Sequence, residues 1–108
     1  MNIGILGTGM VGQTIGAALA VKGHSVMIGT RDVAKSLANT EKSAMGMPGF
    51  GAWHRENQHI KVGTFAEAAN FGELLVNATS GLASLEALNA AGTENLGDKV
   101  LIDLANEL

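Results

Sequence analysis

The stretch Ile3-Gly4-Ile5-Leu6-Gly7-Thr8-Gly9-Met10-Val11-Gly12 decides the fold. A short apolar run reads as a strand, and Gly7 to Gly12 spell G-x-G-x-x-G. A helix-period segment follows, and a second apolar run, Val26-Met27-Ile28-Gly29, closes on Thr30-Arg31. Each glycine has a separate physical reason. Gly7 turns the chain off the strand, Gly9 leaves room for a pyrophosphate against the backbone, and Gly12 lets the helix press onto the sheet. The first turn of that helix carries unpaired N–H groups and a partial positive charge towards the phosphates. The motif alone is weak. Its setting, a strand before it and a helix and second strand after it within about 30 residues, is the setting that dinucleotide binding requires.

The tip of the second strand selects between cofactors. A carboxylate there binds the adenosine ribose hydroxyls of NAD(H) and repels a 2′-phosphate. This chain has Thr30 and Arg31, and Arg offers a planar fork of donors to a phosphate. Thr30 adds a hydroxyl, and Lys35 lies about one helical turn further on. Asp32 reads as the N-cap of the next helix. The expected cofactor is therefore NADP(H), with Gly7, Gly9 and Gly12 shaping the pyrophosphate loop and Thr30, Arg31 and Lys35 at the 2′-phosphate.

Outside this unit, the composition sets limits. A chain of 108 residues reads as one domain, residues 1–108, with room for a real core. Aromatics are scarce, so Ile, Leu, Val, Ala and Met must build that core. A net charge of −3 argues against a general nucleic-acid binder. The absence of Cys excludes disulfides and thiolate metal sites and fits a cytoplasmic protein. The start of the chain lacks a basic segment ahead of an apolar one, so no signal peptide is expected. No apolar run is long enough to span a bilayer, so no membrane partner is expected.

The first helix is expected over residues 10–22, with Val11, Ile15, Ala18 and Leu19 as its inward stripe and Gly23 as its stop. Gln13 and Thr14 in its first turn face either a phosphate or solvent. His24 reads as a loop residue at the end of the sheet away from the ligand. A second helix is expected from Asp32 to Glu41, with Val33 and Leu37 inward. Lys42 to His59 is the least regular stretch. Its His54 and His59 share no helix face and have no carboxylate placed with them, so no metal site is expected. Trp53 reads as a cover for a helix or as a contact with another subunit.

Ile60-Lys61-Val62 is a third strand ended by Gly63. Thr64 and Glu67 have capping-box spacing for a helix over residues 65–70. Leu74 to Ala78 is a fourth strand, and Ala78, Thr79 and Ser80 are expected along the path of the cofactor. A helix from Ser84 to Ala91, a turn at Gly97-Asp98 and a fifth strand from Val100 to Leu104 complete the chain. Alternating strands and helices with right-handed crossovers give a Rossmann-type, doubly wound parallel sheet between two helical layers, ordered 3-2-1-4-5.

Gly7 to Gly12 with Ile5-Leu6, Gly23-His24-Ser25-Val26, Gly29-Thr30-Arg31-Asp32, Val76-Asn77-Ala78-Thr79 and Leu101 to Asn106 together resemble the N-terminal domain of the coenzyme F420-dependent NADP oxidoreductases. The coenzyme is a deazaflavin, and the resemblance covers nearly the whole chain. It implies that Gly7, Thr8, Gly9, Met10, Val11 and Gly12 hold the pyrophosphate and that Thr30 and Arg31 hold the 2′-phosphate. It also implies that Ala78, Thr79 and Asn106 lie towards the nicotinamide. Pyrroline-carboxylate reductases and membrane metalloreductases have similar halves, so the resemblance does not fix the substrate. Met10 stands where members often have a polar residue, which leaves a backbone contact there. The family is expected to continue into a segment for the second substrate and the dimer, whereas this sequence ends at Leu108. It is then a truncated product, an expressed fragment or a stand-alone domain. Two functions follow as expectations. One is an oxidoreductase domain moving hydride between NADP(H) and a deazaflavin, flavin-like or other small acceptor, with a homodimer implied and no catalytic residue named. The other is a non-catalytic NADP(H)-binding module or subunit that needs a partner chain.

Overall fold

Ile5 of the first strand faces Ile28 on one side and Val76 on the other, in parallel register. That strand is the centre of the sheet in a computed structural model, which describes residues 1–39, 49–79, 87, 89, 92 and 99–103. The strands are β1 (Asn2–Leu6), β2 (Ser25–Thr30), β3 (Lys61–Thr64), β4 (Leu74–Asn77) and β5 (Val100–Asp103). All pair in parallel, in the order β3-β2-β1-β4-β5. This is the expected order, and it puts the topological switch point between β1 and β4.

Successive side chains on a strand take opposite faces, and the core divides accordingly. Ile3 and Ile5 join Val26, Ile28 and Val76 on one face, with Phe50 and Ile60. Leu6 joins Leu75, Phe65, Ala68, Ala69 and Ala87 on the other. The helices are α1 (Met10–Val21), α2 (Val33–Ala38), α3 (Phe50–Arg55) and α4 (Phe65–Phe71).

Helix α1 is rolled relative to expectation. Val11 and Ala18 are exposed, Ile15 and Leu19 are half-buried, and Gly12, Gln13 and Gly16 are buried. The glycines set the roll. A Cβ on Gly16 would stand 3.3 Å from Ile28 Cδ1, and one on Gly12 would stand 2.5 Å from the Gly7 oxygen. The helix therefore meets the sheet along its glycine line, and Ile15 and Leu19 pack beside that line. Gly23, at φ 93, ends the helix as expected.

Helix α2 begins where Asp32 caps it, the Asp32 carboxylate accepting from the Lys35 N–H at 3.1 Å. It ends at Ala38, short of the expected Glu41, because Asn39 leaves the helix for extended backbone. Leu37 is 37% exposed instead of inward, since the backbone at Leu37 crosses Gly51 of α3 closely. The stretch expected to be irregular contains α3. Phe50 is buried, Trp53 packs beside it against the core, and the two rings lie 5.6 Å apart. His54 Nε2 lies 2.8 Å from the Ile60 carbonyl oxygen.

Strand β3 continues through Gly63 to Thr64, which pairs with Thr30. Thr64 then caps α4 in the expected capping box, with its hydroxyl accepting from Glu67 N–H at 3.1 Å and the Glu67 carboxylate accepting from Thr64 N–H at 2.9 Å. Strand β5 is described over Val100–Asp103, and Leu104, expected to close it, lies outside the described residues. Of the expected helix from Ser84 to Ala91, only Ala87 and Asn89 are among the described residues, and Ala87 is buried. The expected turn at Gly97-Asp98 lies outside them.

Candidate functional site at the carboxyl ends of the strands

A crevice of about 580 Å³ opens where β1, β2 and β4 end, beside the switch point. At one end it is lined by Gly7, Thr8 and Gly9. Gly7 has φ 117, a backbone state that side chains resist, and a Cβ there would stand 2.9 Å from the Ala78 oxygen. Gly9 is different. Its φ of −74 suits any residue, and a Cβ there would meet nothing within 4 Å. The room above Gly9 thus opens into the crevice, whereas the room at Gly7 and Gly12 is filled by the protein's own backbone.

Gly9 is also the N-cap of α1, and no side chain caps that helix. The first turn contains no acidic residue. The backbone N–H groups of a first turn have no partners within their helix and favour an anion. The backbone of Met10 and Val11 forms that turn, and Gly12 lies beneath it against Gly7. Gln13 is buried and its Nε2 donates to the Thr8 carbonyl at 2.9 Å. Thr14 is exposed.

At the tip of β2 the crevice is lined by Thr30, Arg31, Asp32, Lys35 and Ser36. Two cations stand there with one carboxylate, and the carboxylate also caps α2. Thr30 is buried, and its hydroxyl lies 2.6 Å from that of Ser36. Arg31 and Lys35 are exposed, so their long side chains can meet a charged ligand at the rim.

Among the described residues, Phe65, Ala78 and Thr79 line the rest of the crevice. The Thr79 hydroxyl donates to Asn77 Oδ1 at 2.6 Å, and its N–H approaches the same oxygen at 3.3 Å. Asn77 is fully buried. The Thr79 hydroxyl proton is therefore committed to the protein, leaving the hydroxyl's lone pairs for a ligand. Asn106, expected in this wall, lies outside the described residues.

Sequence reasoning missed Ser36, Phe65 and Asn77. Asn77 carried a signal, a polar residue closing an apolar strand. Ser36 and Phe65 carried none, because they reach the crevice only through the packing of α2 and α4. Among the described residues no group of three His, Cys, Asp or Glu side chains gathers as a metal site. Among them, too, no helix is long and apolar enough to cross a membrane.

An uncapped helix end, an open glycine and paired cations in one crevice match the donors that a phosphate-bearing dinucleotide needs. A doubly wound parallel sheet with its crevice at this switch point defines the nucleotide-binding α/β class. Within that class, residues 2–107 match the family described as NADP oxidoreductase, coenzyme F420-dependent, and the chain belongs to it. It is also similar to a crystal structure from Arthrobacter sp. FB24, provisionally described as an F420-dependent NADP reductase. The two are 49% identical and superpose with a TM-score of 0.88, over 96% of this chain and 45% of that one. This chain thus spans about half the length of that relative. Among curated proteins no relative matches.

Proposed function

We propose that this chain binds NADP(H) in the crevice and forms the nucleotide-binding part of an oxidoreductase. The reaction is hydride transfer between NADP(H) and the deazaflavin coenzyme F420 or a related small acceptor. The observation that carries the reading is the meeting of Arg31 and Lys35 with Gly7, Thr8 and Gly9 in one crevice.

In this reading the backbone of Gly9, Met10 and Val11 faces the pyrophosphate, with Gly12 keeping α1 close enough to do so. Arg31 and Lys35 face the 2′-phosphate, and Thr30 orients it through its hydroxyl. Phe65 offers an apolar surface beside them. Ala78 and Thr79 border the nicotinamide end. When bound, NADPH supplies the hydride. The chain supplies orientation and the exclusion of water, which is most of what ring-to-ring transfer asks of a protein. A cytoplasmic location, small-molecule partners and pairing with a second copy of the chain belong to the same reading.

The test is NADPH oxidation with coenzyme F420 as acceptor, followed by absorbance for the 108-residue chain alone and with a longer family member added. Turnover by the chain alone supports an enzyme. NADPH binding with turnover only after the addition supports a module that needs a partner chain. No NADPH binding overturns both.

A further inference from the structure

Gln13 is 5% exposed, and its Oε1 is buried without a hydrogen-bond partner. A buried carbonyl left unpaired destabilises a fold, and an apolar residue of similar length would avoid that cost. The compensation lies at the other end of the same amide. Gln13 Nε2 donates to the Thr8 carbonyl at 2.9 Å, and the Gln13 backbone N–H donates to the Gly9 carbonyl at 3.0 Å. One residue thus draws two consecutive carbonyls back towards the helix.

A trans peptide points its C=O and the following N–H in opposite directions. Turning the Thr8 carbonyl onto Gln13 therefore turns the Gly9 N–H away from Gln13. Turning the Gly9 carbonyl onto Gln13 does the same for the Met10 N–H. Thr8 and Gly9 line the crevice, and Gly9 stands open to it. Among the described residues no backbone carbonyl accepts from the Gly9 N–H. The amide orientation is not interchangeable, because a flipped Gln13 would set its oxygen against the Thr8 oxygen.

We propose that Gln13 is a positioning residue: its side-chain amide locks the Thr8–Gly9 peptide so that the Gly9 N–H is presented to the pyrophosphate. The proposal rests on the crevice being the pyrophosphate site, and the experiment separates the two claims. Gln13→Met keeps the length and removes the donor. Gln13→Glu keeps the shape and sets an acceptor against the Thr8 carbonyl. Binding of two probes is measured by calorimetry: 2′-phospho-ADP-ribose, which has the pyrophosphate, and 2′-AMP, which has only the 2′-phosphate end.

Both variants are expected to lose about tenfold in affinity for 2′-phospho-ADP-ribose, equivalent to about 1.4 kcal/mol, while 2′-AMP binds as before. The Gly9 amide resonance should shift on adding 2′-phospho-ADP-ribose to the unmodified protein and shift less in the variants. Either variant suffices should the other fail to fold. Unchanged binding of 2′-phospho-ADP-ribose overturns the role of Gln13 and leaves the crevice reading intact. Equal losses for both probes show a general structural role and also overturn it. An unmodified chain that binds neither probe overturns the crevice reading, and this proposal with it.

Discussion

The hydroxyls of Thr30 and Ser36 lie 2.6 Å apart at the tip of β2, beside Arg31 and Lys35. Thr30 is β-branched and has few rotamers, so a hydrogen bond to one neighbour fixes its hydroxyl. Ser36 thereby decides where the Thr30 oxygen points without itself needing to reach a ligand. Ser36→Ala is expected to weaken NADPH binding about three- to tenfold, within the range of one ordinary lost hydrogen bond. NADH binding should not change. Titration by nicotinamide fluorescence checks this, and equal losses for both nucleotides would count against a role at the 2′-phosphate.

Gly7 and Gly9 belong to one motif and should fail in opposite ways. Gly7→Ala forces a side chain into φ 117 and against Ala78, so it should cost about 1–3 kcal/mol of stability. Gly9→Ala has an ordinary φ and empty space on the protein side, so its stability should fall by no more than about 1 kcal/mol, the loss of a glycine N-cap. Its NADPH affinity should fall about tenfold or more, as a methyl group enters the ligand's space. Thermal melting and ligand titration on the same two variants separate these outcomes. A stable Gly9→Ala that binds normally would remove Gly9 from the site.

Asp32 caps α2 and lines the crevice at once. Its cap stabilises the helix, while its charge opposes a phosphate beside Arg31 and Lys35. Asn caps about as well as Asp and has no charge. Asp32→Asn should keep the melting temperature and tighten NADPH binding about two- to fivefold at low salt, less as salt screens the charge. Asp32→Ala should lose about 1 kcal/mol of stability with the cap. NADPH titration at two ionic strengths, with thermal melting of each variant, tests the separation. Weaker NADPH binding by Asp32→Asn would mean that the carboxylate helps the ligand.

What was legible in the sequence was local or periodic. The glycine motif, the Thr64–Glu67 capping box and the Asp32 cap each use residues a few positions apart, and each stands where expected. Strand order followed from the alternation of elements. On α1 the close approach at Gly12 was legible, but hydropathy also marks Val11 and Ala18 as inward, and both are exposed. Helix α3 was missed because it is a six-residue helix with Gly51 inside it and no side-chain cap at Gly49. Its order comes from Phe50 and Trp53 packing on the sheet. In the site, the glycines and the Thr30-Arg31 pair were legible. The Ser36 contact and the Phe65 wall were not, since both arise from tertiary packing.

The central claim concerns the guanidinium of Arg31 and a phosphate on the adenosine ribose. The most direct measurement is a pair of dissociation constants, for NADPH and for NADH, on the unmodified chain and on Arg31→Ala. The account predicts much tighter binding of NADPH by the unmodified chain, with most of that preference lost in Arg31→Ala and NADH affinity unchanged. Equal affinities in the unmodified chain, or a preference that survives the substitution, would contradict it.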